Sequence, residues 1–421
     1  MRASGLIRGV LCGALGLAGC GEPNPGGATG ETATGTSTST STGTSTTPGA
    51  TTDAPTTTTP TSGSGTGGET TSTTSTSEAA TSEALTSTTS TSTSSAATSS
   101  TSSDSTTTGD GDTDTTGGGS FDDVLTLQHV QVKGTHNSYH REPLIAFDAS
   151  HEYSHAPLDV QLDAQGVRAF ELDVHKGLSA FEVYHISVID SVTTCSTLSE
   201  CLGVIGGWSL AHPQHVPIVV WIEIKDSTGG LPIGAGDLDA IDDVIREALP
   251  PEQLFTPDDL RGAHADVRAA LEAEGWPTLA QVRGQVLVVL LNVEDGHAQE
   301  YTDGFTSLDG RAMFARATPN QFTAGWAAIA KLGIGEAEAL AQAHAARMLI
   351  ATNVCGAGDD DGECTERMAA AKAAGIHMLK DDFPAAVDGM TYWLDFPDGN
   401  PARCNPVTAP PECTSVAVED L

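Results

Sequence analysis

The sequence predicts an α/β protein built as a (β/α)8 barrel of the TIM type, regular or distorted, preceded by a disordered Ser/Thr-rich tether. Three observations support this prediction. Strand-like and helix-like runs alternate through the last 300 or so residues, candidate ligand side chains fall at the ends of several strand-like runs, and the first third of the chain is almost wholly small and polar.

Residues 1–20 have the pattern of a bacterial lipoprotein signal peptide. Arg2 and Arg8 come before or within an apolar run that ends in Leu17-Ala-Gly-Cys20. This arrangement predicts cleavage before Cys20 and attachment of diacylglycerol to its thiol. An ordinary secretory signal with an incidental cysteine is the alternative, and both predict export. We therefore expect a bacterial lipoprotein of the outer membrane or cell surface, anchored through Cys20 or shed.

Residues 21–120 form a low-complexity segment of Thr, Ser, Gly and Ala with acidic side chains and no Lys or Arg. Such a segment cannot bury enough apolar surface to offset the entropy of ordering, so we interpret it as a disordered tether. Most of the net charge of −36 lies in the remaining residues, 121–421. This acidic balance argues against a nucleic-acid partner and against electrostatic docking on anionic membranes.

Residues 121–421 are long enough for one large domain, in which the runs alternate as a β/α barrel requires. The predicted strands are 127–133, 167–174, 180–186, 217–224, 285–291, 312–317, 347–351 and 376–379. The predicted helices include 158–164, 198–210, 238–249, 321–332, 336–346 and 366–374.

Six cysteines of this domain come in three local pairs, which predicts disulfides in an exported protein. Adjacent pairing is the simplest of the fifteen possible connectivities, and none of the pairs has the Cys-x-x-Cys spacing of a zinc or redox site. The expected pairs are Cys195 with Cys201, Cys355 with Cys364, and Cys404 with Cys413.

Four residues near predicted strand ends have the oxygen-bearing side chains that hard cations prefer. The run 168–175 alternates apolar and polar residues, so Glu171 and Asp173 would share one face of a strand. Asn137 and Glu223 add an amide and a third carboxylate. Such a set suits Ca²⁺ or Mg²⁺ better than zinc, and calcium is preferred because it tolerates more ligands and looser geometry.

Two histidines fall beside these ligands, His136 and His185. A cation with neighbouring imidazoles indicates phosphoryl chemistry, in which the metal neutralises phosphate oxygens and the imidazoles move protons or stabilise developing charge. A lone histidine at a strand end is more often structural, so the prediction depends on the whole set.

Four motifs in this order resemble the catalytic half of phosphoinositide-specific phospholipases C, in particular the bacterial calcium-dependent branch. Glycerophosphodiester phosphodiesterases share the barrel and the Glu-x-Asp motif, but usually have His-Arg where this chain has His136-Asn137. The matching motifs are Gly134-Thr-His-Asn-Ser-Tyr139, Phe170-Glu-Leu-Asp173, Val183-Tyr-His185 and Trp221-Ile-Glu-Ile-Lys225.

The resemblance implies a calcium-dependent phosphatidylinositol phospholipase C. It implies that Asn137, Glu171, Asp173 and Glu223 hold Ca²⁺. His136 would contact the phosphate, and His185 would protonate the diacylglycerol leaving group. A carboxylate of the metal site, Glu171 or Glu223, would help to deprotonate the inositol 2-hydroxyl, so the first product would be a cyclic inositol phosphate.

Two lysines are further candidates for substrate binding, namely Lys225 and Lys380. A surface ion pair is the alternative for Lys225, and a structural turn is the alternative for Lys380 and its neighbour Asp381. The loop after the predicted seventh strand lacks the arginines expected to clamp head-group phosphates, which favours unphosphorylated phosphatidylinositol.

We expect a monomer acting on a phospholipid at a membrane surface. A related barrel phosphodiesterase for glycerophosphodiesters or sphingolipids, and a non-catalytic surface-displayed binding protein, are the alternatives.

Overall fold

The computed structural model describes residues 121–226, 228–234, 236–396 and 399–419. The predicted signal peptide, its Cys20 and the predicted tether lie outside these residues. Within the described ranges, no helix combines the length and the apolar character needed to cross a membrane.

The described chain alternates strands and helices, as the sequence predicts. The strands are β1 Val130–Thr135, β2 Val167–Lys176, β3 Phe181–Val183, β4 Ile218–Ile224, β5 Val286–Leu290, β6 Met313–Ala317, β7 Ile329–Lys331, β8 Leu349–Asn353, β9 Met378–Asp381 and β10 Ala402–Cys404. The helices are α1 Leu158–Asp163, α2 Leu198–Ala211, α3 Asp237–Ala248, α4 Pro257–Arg261, α5 Val267–Ala273, α6 Leu279–Val282, α7 Gly296–Tyr301, α8 Ala337–Ala345, α9 Asp361–Ala373 and α10 Ser415–Val418.

Eight parallel strands close into a barrel in the order β1, β2, β4, β5, β6, β7, β8 and β9. Closure comes from β1, which pairs with β9 on one side and with β2 on the other, where Gly134 is opposite Ala169. The two remaining strands are antiparallel additions, β3 on β2 and β10 on β1. The (β/α)8 prediction is therefore confirmed.

Two element predictions were wrong, and the errors compensate in the strand count. The segment 180–186 was predicted as a barrel strand, but it contributes only β3, which forms a hairpin with β2 outside the barrel. The segment 321–332 was predicted as a helix, yet it contains β7, which pairs with β6 and β8. Its alanine-rich sequence favours a helix locally, but pairing between two buried strands outweighs this weak preference.

The barrel interior is apolar in its lower part and charged in its upper part. The apolar side chains form one buried cluster, which includes Val132, Ala169, Trp221, Val289, Phe314, Ile329, Ala351 and Met378. Two residues further along several strands, the same face carries charged side chains instead, because side chains of a strand alternate with period two. This change from apolar to charged marks where the site begins.

A second apolar cluster lies outside the barrel, where the helices pack against the outward faces of the strands. The three predicted disulfides, Cys195–Cys201, Cys355–Cys364 and Cys404–Cys413, are confirmed. Each joins cysteines six or nine residues apart, so each constrains a short loop rather than the barrel itself.

Candidate active site

Charged side chains of opposite sign occupy two sides of the upper barrel interior. We call β1, β2 and β4 the anionic side and β6, β7 and β9 the cationic side. The anionic side carries Glu171, Asp173 and Glu223, and the cationic side carries Arg316, Lys331 and Lys380. The sequence analysis identified the anionic side, whereas it found only Lys380 on the cationic side.

The end of β1 and the turn that follows it place specific demands on the Gly-Thr-His-Asn sequence. A Cβ at Gly134 would lie 2.9 Å from the side chains of both Ala169 and Lys380, so a larger residue would push the closing strands apart. Asn137 has a φ of +43°, a left-handed conformation that asparagine tolerates better than most residues. The Ser138 hydroxyl accepts a hydrogen bond from the Glu171 backbone at 2.8 Å and joins the turn to β2.

His136 is held between two carboxylates at the mouth of the barrel. Its Nδ1 donates to Asp382 Oδ1 at 3.0 Å, and its Nε2 lies 3.7 Å from Glu171 Oε1. Burial lowers the pKa of His136, but Asp382 and Glu171 outweigh this effect and raise it above the ordinary value. The raised pKa favours the protonated ring, which suits a group that contacts a phosphate.

His185 lies beyond the end of β3, in a turn and not at the end of a barrel strand as predicted. Its Nδ1 donates to Asp190 Oδ2 at 2.6 Å, and Asp190 is fully buried. Burial raises the pKa of Asp190, yet hydrogen bonds from His140 and His185 outweigh burial and hold it well below the usual range. An ionised buried carboxylate therefore orients the His185 ring.

Three carboxylates form the candidate calcium site. One oxygen from each of Glu171, Asp173 and Glu223 lies within 4.8 Å of the others. Both oxygens of Asp173 are buried without a hydrogen-bond partner, which is costly unless a cation compensates them. Burial raises the pKa of Asp173 to about 6, with Lys225 opposing and Glu223 assisting. These carboxylates, with the Asn137 amide predicted beside them, fit a calcium ion.

Lys225 lies within this cluster of carboxylates. Its Nζ is 2.9 Å from Glu223 Oε1 and 3.3 Å from Asp173 Oδ2. The ion pair that was the alternative for Lys225 is therefore present. It is not a surface pair, because Lys225 is only 8% exposed. Its role in substrate binding stays a prediction.

Lys380 is fully buried beneath the site and forms an ion pair with Glu171. Lys331 Nζ approaches the same carboxylate oxygen at 3.7 Å. Burial raises the pKa of Glu171, but the two lysines outweigh burial and hold it well below the usual range. In this arrangement Lys380 contacts Glu171. Direct contact between Lys380 and a substrate stays a prediction.

Four groups near the site were missed by the sequence analysis, namely Asp190, Arg316, Lys331 and Asp382. Asp382 was overlooked beside Asp381, although only Asp382 faces His136. Asp381 instead accepts hydrogen bonds from Tyr392 and the Phe383 backbone. Period two from Lys380 would have selected Asp382, whereas Lys331 lies in a strand that was predicted as helix.

A family model described as "Phosphoinositide phospholipase C, Ca2+-dependent" matches residues 125–180 and 177–406. No curated protein sequence matches the chain.

Solved structures with similar folds include three bacterial enzymes. A calcium-dependent phosphoinositol-specific phospholipase C from the Gram-negative Pseudomonas sp is 21% identical with a TM-score of 0.48, covering 68% of this chain and 97% of that one. A Ca²⁺-dependent phosphatidylinositol-specific phospholipase C from Streptomyces antibioticus is 20% identical with a TM-score of 0.48, covering 62% and 96%. A phosphatidylinositol-specific phospholipase C from Staphylococcus aureus is 16% identical with a TM-score of 0.41, covering 64% and 92%.

Proposed function

The chain belongs to the family of Ca²⁺-dependent phosphoinositide phospholipases C, and on that premise we propose that it cleaves phosphatidylinositol to diacylglycerol and a cyclic inositol phosphate. The observation that carries the proposal is the combination of two histidines, each held by a carboxylate, with a cluster of three carboxylates that includes the buried Asp173, which has no hydrogen-bond partner. This arrangement supplies proton donors and a cation site at one barrel mouth.

Asn137, Glu171, Asp173 and Glu223 are the residues that would hold calcium. Calcium, when bound, would supply positive charge beside the phosphate oxygens and the attacking hydroxyl. The Glu223 side chain is 32% exposed, whereas that of Glu171 is 2% exposed and is held by two lysines, so Glu223 is the better candidate to take the proton from the inositol 2-hydroxyl.

The two histidines have different roles in the proposal. His136, held by Asp382, donates a hydrogen bond to a phosphoryl oxygen as negative charge develops there. His185, held by Asp190, gives its Nε2 proton to the glycerol oxygen as the bond from phosphorus to that oxygen breaks. The bond from phosphorus to the inositol 2-oxygen forms in the same displacement, which closes the cyclic phosphate.

Exposed apolar side chains around the barrel mouth support action at a lipid surface. Leu144 is 100% exposed, Leu178 95% and Val188 91%, and Ile145 and Phe147 are also exposed. All five lie in loops that follow the carboxyl ends of β1 and β2 or the adjoining β3. Apolar residues suit contact with acyl chains, whereas the acidic surface gives no attraction to anionic head groups.

Calcium-dependent turnover by the full chain tests the function. Vesicles of phosphatidylinositol, phosphatidylcholine or sphingomyelin are incubated with the protein in calcium or in chelator, and products are followed by phosphorus NMR. We expect a cyclic inositol phosphate from phosphatidylinositol in calcium alone. Phosphocholine from sphingomyelin would favour the related phosphodiesterase, and no turnover of any lipid would contradict an enzymatic function.

A histidine variant tests the division of roles. His185→Ala should lose most turnover while its calcium affinity is retained, because the ring donates a proton and does not bind the ion. The surface variant His264→Ala is the matched control. Loss of calcium binding in His185→Ala would show that the ring belongs to the metal site.

We also propose that the protein is exported and anchored through a lipid on Cys20, as the sequence pattern suggests. Mass spectrometry of the purified mature protein should find a diacylglycerol thioether on Cys20. Cys20→Ala should abolish this modification and release the protein from the membrane fraction. A mature N-terminus elsewhere would contradict the proposal.

A further inference from the structure

A second group of potential metal ligands surrounds Asp190, behind the proposed proton donor. His140 Nε2 lies 2.8 Å from Asp190 Oδ1, and His185 Nδ1 lies 2.6 Å from Oδ2. A third imidazole approaches the same carboxylate, with His151 Nδ1 at 3.6 Å from Oδ2. Three imidazole nitrogens thus converge on the two oxygens of one buried side chain.

His151 gives the independent indication that these residues form more than a network of hydrogen bonds. It is 8% exposed, and its Nδ1 is buried without a hydrogen-bond partner although it is directed at Asp190. A buried nitrogen without a partner is costly, and Asp190 already accepts hydrogen bonds from two other rings. A ligand for the His151 lone pair would remove this cost.

We propose that His140, His151, His185 and Asp190 bind a transition-metal ion of the Zn²⁺ type, at a site separate from the proposed calcium site. Three nitrogens and one carboxylate oxygen suit zinc, whereas calcium prefers oxygen ligands only. Ligand atoms in a tetrahedral zinc site with bonds of about 2.0–2.1 Å stand roughly 3.3 Å apart. The ligand atoms of His140, His185 and Asp190 already lie within 4.8 Å of one another, whereas His151, with its Nδ1 at 3.6 Å from Asp190 Oδ2, has to shift to join them.

The site has a consequence for turnover, and this part rests on the proposed function. Zinc on His185 Nδ1 takes the place of the proton that Asp190 otherwise receives in a hydrogen bond. The ring then remains neutral, and its Nε2 proton is held more tightly than in an imidazolium. Bound zinc therefore removes the proton donor and inhibits the enzyme, even when calcium is saturating.

Zinc binding to the full chain, expressed without a histidine tag, is the primary test because it does not depend on activity. Calcium is kept in excess so that the carboxylate cluster is occupied, and zinc is titrated against a fluorescent chelator. We expect one high-affinity zinc ion per chain. His151→Gln should weaken its binding by about tenfold or more, as removal of one ligand does.

Two further variants make the test specific. Asp190→Asn should abolish high-affinity zinc binding, while His264→Gln, at a surface histidine, should bind zinc as the unmodified chain does. Thermal unfolding of each variant checks that it is folded. Equal zinc affinity in His151→Gln and the unmodified chain, or no high-affinity zinc ion at all, would overturn the site.

The activity arm separates this site from the proposed function. Zinc should inhibit calcium-dependent turnover of the unmodified chain and of His264→Gln, and His151→Gln should need about tenfold more zinc for the same inhibition. If the chain binds zinc as expected but hydrolyses no lipid, the metal site stands and the proposed function fails. Turnover that is unaffected by bound zinc would overturn the inhibitory role.

Discussion

The anionic and cationic sides of the barrel carry side chains of opposite charge at equivalent strand positions. Glu171, Asp173 and Glu223 on one side bring three carboxylates together, of which Glu171 and Asp173 are buried and Glu223 is partly exposed. Lys331 and Arg316 on the other side bring positive charge to the same depth. The proposed function assigns the two sides different roles, in which the anionic side would hold the metal and the cationic side would receive the anionic phosphodiester.

Removal of the central carboxylate, Asp173, should have the largest effect on calcium binding and turnover. Asp173→Asn is expected to lower calcium affinity and turnover by about a thousandfold, because Asp173 is the fully buried member of the cluster and has no hydrogen-bond partner. The same change should raise the melting temperature in chelator, because burial disfavours the ionised carboxylate more than Lys225 stabilises it, as the raised pKa of Asp173 of about 6 indicates. Calcium titration calorimetry and thermal unfolding measure the two effects.

The exposed acid variant Asp163→Asn is the control for this change. It should alter neither property. Unchanged calcium affinity in Asp173→Asn would exclude this cluster as the metal site.

A change on the cationic side should affect the substrate and spare the metal. Lys331→Met is expected to lower kcat/KM for phosphatidylinositol by about tenfold or more, because a charge facing the phosphate is lost. Calcium affinity should be kept or slightly raised, since a cation 3.7 Å from Glu171 is removed. Kinetics on vesicles and calorimetry test both statements, with Lys372→Met on α9 as the control. A fall in calcium affinity would refute the different roles of the two sides.

Lys225 is a cation on the anionic side, and its removal should increase the difference in charge between the two sides. Lys225→Met is expected to raise calcium affinity by several-fold, because the ammonium competes for Glu223 and Asp173. Calorimetry at constant ionic strength measures the effect. If instead calcium binding weakens, Lys225 organises the carboxylates and does not compete with the ion.

The smallest predicted effect concerns the base of the barrel, where the two sides do not differ in charge. His377 accepts a hydrogen bond on Nδ1 from the Ile350 backbone, so the folded state requires the neutral ring. Burial lowers its pKa to about 3, and burial also lowers the pKa of His215, beneath β4, to about 4. Unfolded histidines protonate near pH 6.5, so this stability is present above that pH and is lost as pH falls toward 3–4.

For His377 the free energy of unfolding should drop by about 1 kcal/mol between pH 7 and pH 5.5, because the unfolded ring gains a proton that the folded ring excludes. Urea unfolding at both values measures it. His377→Gln should flatten the difference by the same amount. If the free energy of unfolding of the variant fell more steeply with decreasing pH, groups other than His377 would account for the pH dependence.

The sequence predicted the anionic side well because its motifs are local. His136 and Asn137 are adjacent, and Glu171 and Asp173 are two apart on one long strand, so the period of the strand identifies a shared face. The cationic side is encoded by separate and shorter elements. β7 has only three residues within an alanine-rich run, which hides Lys331 from any pattern of periodicity.

The partners of the two histidines were harder to predict for a different reason. Asp190 is only five residues from His185, but the turn between them has no regular period. Asp382 is 246 residues from His136, so its contact appears only when the barrel closes. Sequence analysis therefore identified the two histidines and missed the carboxylates that hold them in place.

Closure of the barrel by β1 also determines when the candidate active site can assemble during synthesis. The hydrogen bond between His136 and Asp382 joins the first and last barrel strands, and the Gly134 contact with Lys380 is equally distant along the chain. Nearly the whole domain must leave the ribosome before these groups can meet, which makes assembly of the centre a late event of high contact order. A nascent chain that stops before the ninth strand carries every proposed metal ligand but lacks Asp382, so the proposed activity would begin only after the last barrel strand has been made.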